Sequence, residues 1–281
     1  MLSYQHGYHA GCCADVLKHI TLSLLIRYIQ KKAAGFFYLD THAGRGLYDL
    51  NHPHAVKTGE AKAGIARLWS ERAKLPEIFQ PYMKLIEQMN QADAVSPRHY
   101  PGSPALAINM LRECDRATLC ELHPYEYTIL SHMPRNGHAV FTSHSDGIEQ
   151  LSAALPPRER RGIIFMDPSY EIKQEYKIIP QKIKQAVQRF STGTFCLWYP
   201  IFNDHQPHTQ LLRGLNAIGA PKTLNISQVI KQPPAQGMIG SGLWIMNPPF
   251  VLKDQLTVVL KTLDRIYQNN SILDLVVLEC N

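Results

Sequence analysis

Four residues that end the hydrophobic run GIIFMDPSY, Asp167-Pro168-Ser169-Tyr170, put a carboxylate, a proline carbonyl and an aromatic ring at one strand exit. An exocyclic amine on adenine is a poor nucleophile, because its lone pair is delocalised into the ring. A carboxylate and a carbonyl that both accept from that NH₂ draw the nitrogen toward tetrahedral geometry and free its lone pair for a methyl sulfonium. Asp167 and the carbonyl of Pro168 suit those roles. Tyr170 would stack on the base, a contact worth about 1–3 kcal/mol in single-stranded nucleic acid. The plainer reading is an Asp-Pro turn closing a strand. A second tetrapeptide, Asn247-Pro248-Pro249-Phe250, closes GLWIMNPPF and lies closer in its letters to an amino-methylating motif. Chain order favours Asp167: the catalytic tetrapeptide belongs on the strand beside the first, which the chain reaches fourth, whereas Asn247 ends the seventh.

Other carboxylates close other hydrophobic runs. FFYLDTHAGRG, residues 36–46, ends a strand on Asp40 and follows it with Gly44 and Gly46, which let a backbone turn tightly beneath a ligand. Alone, that spacing also fits a simple turn, and His42 within it reads equally as a core or loop histidine. Glu121 in LCELHP stands where a nucleotide-binding sheet places a carboxylate for ribose hydroxyls, and Asp146-Gly147 in HSDGI could accept an adenine amino hydrogen. The opening MLSYQHGYHAGCCADVLKH crowds Tyr4, His6, Tyr8, His9, Lys18 and His19 before the core begins. Chain ends usually fray. Here Lys18 and His19 open a helix that can face a cofactor, and Tyr4 with His6 can fold over a flipped base. Cys12 and Cys13 read as small apolar fillers rather than nucleophiles.

The elements that must position these residues alternate between buried strands and amphipathic helices. Strands are predicted at 36–40, 118–121, 139–142, 162–167, 194–199, 223–229 and 243–247. Helices are predicted at 14–31, 103–113, 125–132, 147–155, 175–189, 207–218 and 253–268. Asp15 lies in the first turn of the first helix, where a carboxylate suits the dipole, and Ser103 reads as a helix cap. The class is α/β, doubly wound, with a seven-stranded mixed sheet. The gap between the first and second strands is far longer than a crossover needs. Within it Ile65, Leu68 and Trp69, then Ile78, Tyr82, Leu85 and Met89, recur on one face. The expected division is therefore residues 1–50 as tail, first helix and first strand, 51–98 as a helical insertion subdomain, and 99–281 as the remainder of the core.

The chain of 281 residues is 45% hydrophobic and 19% charged, a balance that excludes a disordered or membrane class. A cytoplasmic protein is expected, since its six cysteines form no disulfide framework. No metal is expected, because His132, His138 and His144 lack zinc-ligand spacing. The net charge of +6 suits a polyanionic partner.

Together the motifs resemble the bacterial 23S ribosomal RNA adenine-N6 methyltransferases of the RlmJ type, nearly end to end. The resemblance rests on MLSYQHGYHAG with ADVLKH, then LDTHAGRG, YPGSP, TLCELHP, SDG, RRGIIFMDPSY, TGTFCLWYP and GLWIMNPP. It implies a Rossmann-like class I methyltransferase core with a helical insertion, S-adenosylmethionine as donor, and one adenine of protein-free 23S rRNA as acceptor. It also implies donor contacts at His19, His42, Ser103, Glu121, Asp146, Gly147 and Asp167, and RNA contacts at Tyr4, His6 and Lys18. The working form is expected to be a monomer with neither membrane nor metal partner. Two positions depart from the family pattern: Ser169 replaces the second proline of Asp-Pro-Pro-Tyr, and Cys12-Cys13 replace Asn-His. A DNA adenine methyltransferase would use the same chemistry at Asp167. A non-enzymatic RNA-binding protein on this fold would be expected to lose carboxylates, yet Asp40, Glu121, Asp146 and Asp167 all stand.

Overall fold

The computed structural model describes residues 5–204, 206–230, 237–267 and 271–279, the last stretch by its backbone. Helix α1 (Cys13–Ile29) carries apolar residues on every side, as a helix must when it is buried all round. It lies against β6 (Gly162–Met166), which pairs with β1 (Phe37–Asp40) in the middle of the sheet. Every residue of both strands is buried, the pattern of parallel strands covered on two faces.

After β1 the chain enters β2 (Leu47–Asp49) and then a run of short helices: α2 (Pro53–Thr58), α3 (Glu60–Ala63), α4 (Ile65–Ser70) and α5 (Gln80–Met89). It leaves through β3 (His99–Pro101), which pairs antiparallel with β2 to form a two-stranded ribbon at the neck of this segment. Ile65, Leu68, Trp69, Phe79 and Tyr82 join Val16, Ile20 and Leu24 of α1 in one buried cluster. Burial of each such side chain contributes about 1.5–3 kcal/mol, so α1 is clamped between the sheet and these helices.

The remaining elements alternate as a doubly wound sheet requires: α6 (Ser103–Met110), β4 (Arg116–Glu121), α7 (Pro124–Ser131), β5 (Ala139–His144), α8 (Gly147–Ala154), then β6 and α9 (Glu175–Arg189). They continue through β7 (Thr194–Phe202), α10 (Gln206–Asn216), β8 (Lys222–Ile230), β9 (Met238–Met246), α11 (Leu252–Ile266) and β10 (Ser271–Glu279). The strand order is β10-β8-β9-β7-β6-β1-β4-β5. Strands β5, β4, β1, β6 and β7 run parallel to one another, while β9 is antiparallel to both β7 and β8.

The expected seven strands are present, but the main sheet has eight. The eighth, β10, pairs antiparallel with β8 along its whole length. Among the described residues no helix is long and apolar enough to cross a membrane.

Candidate active site

Parallel strands deliver their carboxyl ends to one edge of the sheet, and a cavity of about 310 Å³ opens there. His19, His42, Ser103, Glu121, Asp146, Gly147 and Asp167 all line it, as do His6 and Lys18. Tyr4 lies outside the described residues.

Glu121 ends β4 and accepts from the backbone amides of Gly44 and His123, both at 2.7 Å. These bonds fix the carboxylate while leaving lone pairs for a diol. Burial lifts its pKa, against those two amides. Gly44 has φ of 60°, and a Cβ there would overlap the Tyr48 hydroxyl. Asp146 caps α8 through Oδ1, which accepts from Ile148 N at 2.8 Å. A Cβ on Gly147 would overlap the Thr41 carbonyl oxygen, so only glycine permits this close passage of α8 over the first loop.

Asp40, the acid that closes β1 before the glycine loop, is fully buried. It accepts from the Tyr38 hydroxyl at 2.8 Å and from His42 N at 3.3 Å. Burial lifts this carboxyl to about 6, against hydrogen bonds from Ser103 and Tyr38. Ser103 is therefore not the cap of α6, a position held by Gly102; its hydroxyl turns to Asp40. Burial holds His42 down to about 4, against the charges of Asp167 and Asp146, and His42 Nδ1 lies 2.7 Å from Thr41 Oγ1.

The N-terminal residues converge on Asp167 from the α1 side. Lys18 donates to Asp167 Oδ2 and lies 2.7 Å from Asp15 Oδ1. Asp15 Oδ2 in turn accepts from Gly11 N and pairs with His6 Nε2, each at 2.9 Å. Asp15 is thus a buried junction, rather than only the dipole partner its first-turn position suggests. Burial opposes its charge, yet His6 and Lys18 hold the carboxyl well below the usual range. Burial likewise opposes the Lys18 ammonium, and Asp15 with Asp167 overcomes it to hold the group well above the ordinary lysine range. His19 Nδ1 lies 2.8 Å from the Tyr100 hydroxyl, and burial depresses the imidazole to about 3.

One group stands elsewhere than expected, and the tetrapeptide set aside on chain order lies away from the cavity. The Tyr170 ring, expected over a substrate base, is only 7% exposed, tilted against Tyr176 at 4.5 Å, with its hydroxyl donating to the Trp198 carbonyl. Its φ of 55° places a bulky residue in the left-handed region, a strain that concentrates at functional loops. Asn247 lies at the opposite edge of the sheet, because β9 runs antiparallel to β7. There its Nδ2 donates to the carbonyls of Ser191 at 2.7 Å and Gly193 at 2.9 Å. Cys12 caps α1, its sulfur accepting from Asp15 N at 3.5 Å, and burial raises the Cys12 thiol well up and the Cys13 thiol to about 11.

Glu175 was visible in the sequence only as a helix-start acid. It lines the cavity, and its Oε2 is buried without a hydrogen-bond partner among the described residues. Burial and the charge of Asp146 raise its pKa. A carboxylate fixed by two backbone amides with lone pairs to spare, and two glycine cradles, fit a nucleoside with a ribose diol.

A parallel sheet with a cavity at its carboxyl edge and an antiparallel strand next to β7 defines a Rossmann-like class I methyltransferase fold. Residues 33–271 match the family described as "Ribosomal RNA large subunit methyltransferase D, RlmJ". The chain is 42% identical over 266 residues to the ribosomal RNA large subunit methyltransferase J of Haemophilus influenzae, covering 94% of each chain. It is 41% identical over 261 residues to the protein of that name from Escherichia coli, covering 92% of each. A crystal structure from Legionella pneumophila superposes with a TM-score of 0.90 at 43% identity, covering 97% of this chain and 99% of the other. This chain belongs to the RlmJ family of ribosomal RNA large subunit methyltransferases.

Proposed function

We propose that this chain methylates the exocyclic N6 of one adenine in 23S rRNA, in the cytoplasm and before ribosomal proteins cover the site. The observation that carries the reading is the position of Asp167. It ends the strand beside β1, opens onto the nucleoside-sized cavity and accepts from a buried ammonium. Family membership supports the substrate class.

Glu121 would hold the ribose hydroxyls of S-adenosylmethionine, Asp146 its adenine amine, and Gly44 and Gly147 the close passage of backbone. Bound there, S-adenosylmethionine supplies an electrophilic methyl group. Asp167 and the Pro168 carbonyl accept the two N6 hydrogens and turn the nitrogen lone pair toward that methyl. Lys18, anchored by Asp15, balances the negative charge at this point and keeps Asp167 in one orientation. Lys18 and His6 line the cavity with Asp167 and would meet the target nucleotide there, a role the resemblance also gives to Tyr4. Tyr170 reaches the base by turning its ring away from Tyr176. Residues 51–98 act as a helical subdomain between 1–50 and 99–281, with the β2–β3 ribbon as its neck.

The test is transfer of labelled methyl from S-adenosylmethionine to protein-free large-subunit rRNA and, separately, to duplex DNA. N6-methyladenosine in digested RNA is the expected product; labelling of DNA alone overturns the substrate.

A further inference from the structure

A second cleft, of about 770 Å³, opens on the far side of the loop that carries Asp167. The loop is the wall between the two spaces: Asp167 and Ser169 line the first cavity, and Tyr170 lines the second. Lys173, just before α9, and Lys177, in its first turn, line one side of the cleft, and both are exposed. Phe202, at the end of β7, lines it with its side chain partly buried, and Gln206 and Gln210 of α10 add exposed amides. Among the described residues the one carboxylate lining it, Asp204, is engaged at the start of α10, its Oδ1 accepting from Gln206 N at 3.1 Å.

This lining has the three chemistries that a single nucleotide needs. Two ammonium groups suit a backbone phosphate, amides suit base edges, and an aromatic surface suits the face of any base. The cleft also has the right position. A strand whose adenine enters at Asp167 must continue over one rim of the cavity, and the rim at Tyr170 leads directly here. We infer that this cleft binds the nucleotide next to the target adenine, holding its phosphate at Lys173 and Lys177. The inference rests on the reading of Asp167 as the site of adenine methylation, and it adds the surface that would select among adenines.

The experiment compares the wild-type protein with Lys173→Ala/Lys177→Ala. Steady-state methyl transfer to protein-free large-subunit rRNA is measured from low to moderate salt, with S-adenosylhomocysteine affinity as the check on fold and first cavity. Loss of this phosphate contact should raise KM for RNA about tenfold and make the log–log salt dependence shallower by about 0.7. kcat and S-adenosylhomocysteine affinity should not move, and Lys173→Arg/Lys177→Arg should restore KM. An unchanged KM and salt slope overturns the inference, as does a fall confined to kcat. Absence of rRNA labelling by the wild-type protein would instead strike the proposed function.

Discussion

Lys18 donates to Asp167 across 149 positions of sequence, from a side chain only 3% exposed. The same ammonium also pairs with Asp15, so one cation serves two carboxylates on either side of it. Lys18→Met leaves both acids in a poorly solvated site without their counter-charge. Breaking a buried pair in this way costs about 3–5 kcal/mol. Urea unfolding should record that loss, and methyl transfer under folding conditions should fall by about 100-fold or more. Wild-type activity in a folded Lys18→Met protein would show that the ammonium only supports structure.

The two strand-end tetrapeptides give opposite expectations. Asp167→Asn keeps the shape of the side chain but removes an acceptor from the adenine amine, and kcat should drop by about 10²–10⁴. Asn247→Gly, at a position with φ of 52°, accepts the backbone conformation and loses two hydrogen bonds far from the cavity. It should cost about 1–2 kcal/mol of stability and leave kcat unchanged. Paired kinetic and unfolding measurements check both.

Gly147→Ala forces a Cβ into the Thr41 carbonyl, which cannot move without disturbing the loop after β1. Isothermal titration should show S-adenosylhomocysteine affinity reduced at least tenfold, with a stability loss of about 1–3 kcal/mol. Normal affinity would mean that the close passage is not part of the cavity's binding wall.

His19 links stability to pH. Burial depresses its folded pKa to about 3, whereas the unfolded imidazole titrates near about 6.5. Between these values the unfolded chain binds the extra proton, so stability is lost as pH falls through that window, by up to about 1.4 kcal/mol per unit. His42 acts in the same direction, and Asp40, whose carboxyl is lifted to about 6, acts oppositely. The difference between wild type and His19→Gln isolates the His19 contribution. Urea midpoints from pH 7 to 4 should fall less steeply in the variant, and parallel slopes would refute the assignment.

Cys12 caps α1 with a sulfur that accepts weakly from Asp15 N. Cys12→Ser supplies a favoured capping oxygen and should stabilise the protein by about 0.5–1 kcal/mol. Thermal unfolding would register this as a rise of about 2 °C.

The carboxylates at strand exits were legible because of what a parallel sheet does. Glu121, Asp146 and Asp167 follow strands that all run the same way, so their side chains reach one edge whatever the details of packing. Chain order separated Asp167 from Asn247, whose letters alone favoured it, and the antiparallel direction of β9 is what puts Asn247 at the other edge of the sheet. Asp40 was legible as a strand end but not as a buried one, since its exposure depends on Tyr38 and Ser103 folding onto it.

By itself, then, the amino-acid order determined the alternation of strands and helices, the long segment after β1 and the three acids that meet at the cavity. Tertiary structure alone decided that Asp15 and Lys18 lock onto Asp167, that the Tyr170 ring turns inward, that one Glu175 oxygen is left without a donor among the described residues, and that β10 extends the sheet. The physical reason is that strand direction follows from local pattern, whereas helix rotation, rotamer choice and the pairing of a last strand are settled by close packing among residues far apart in the chain.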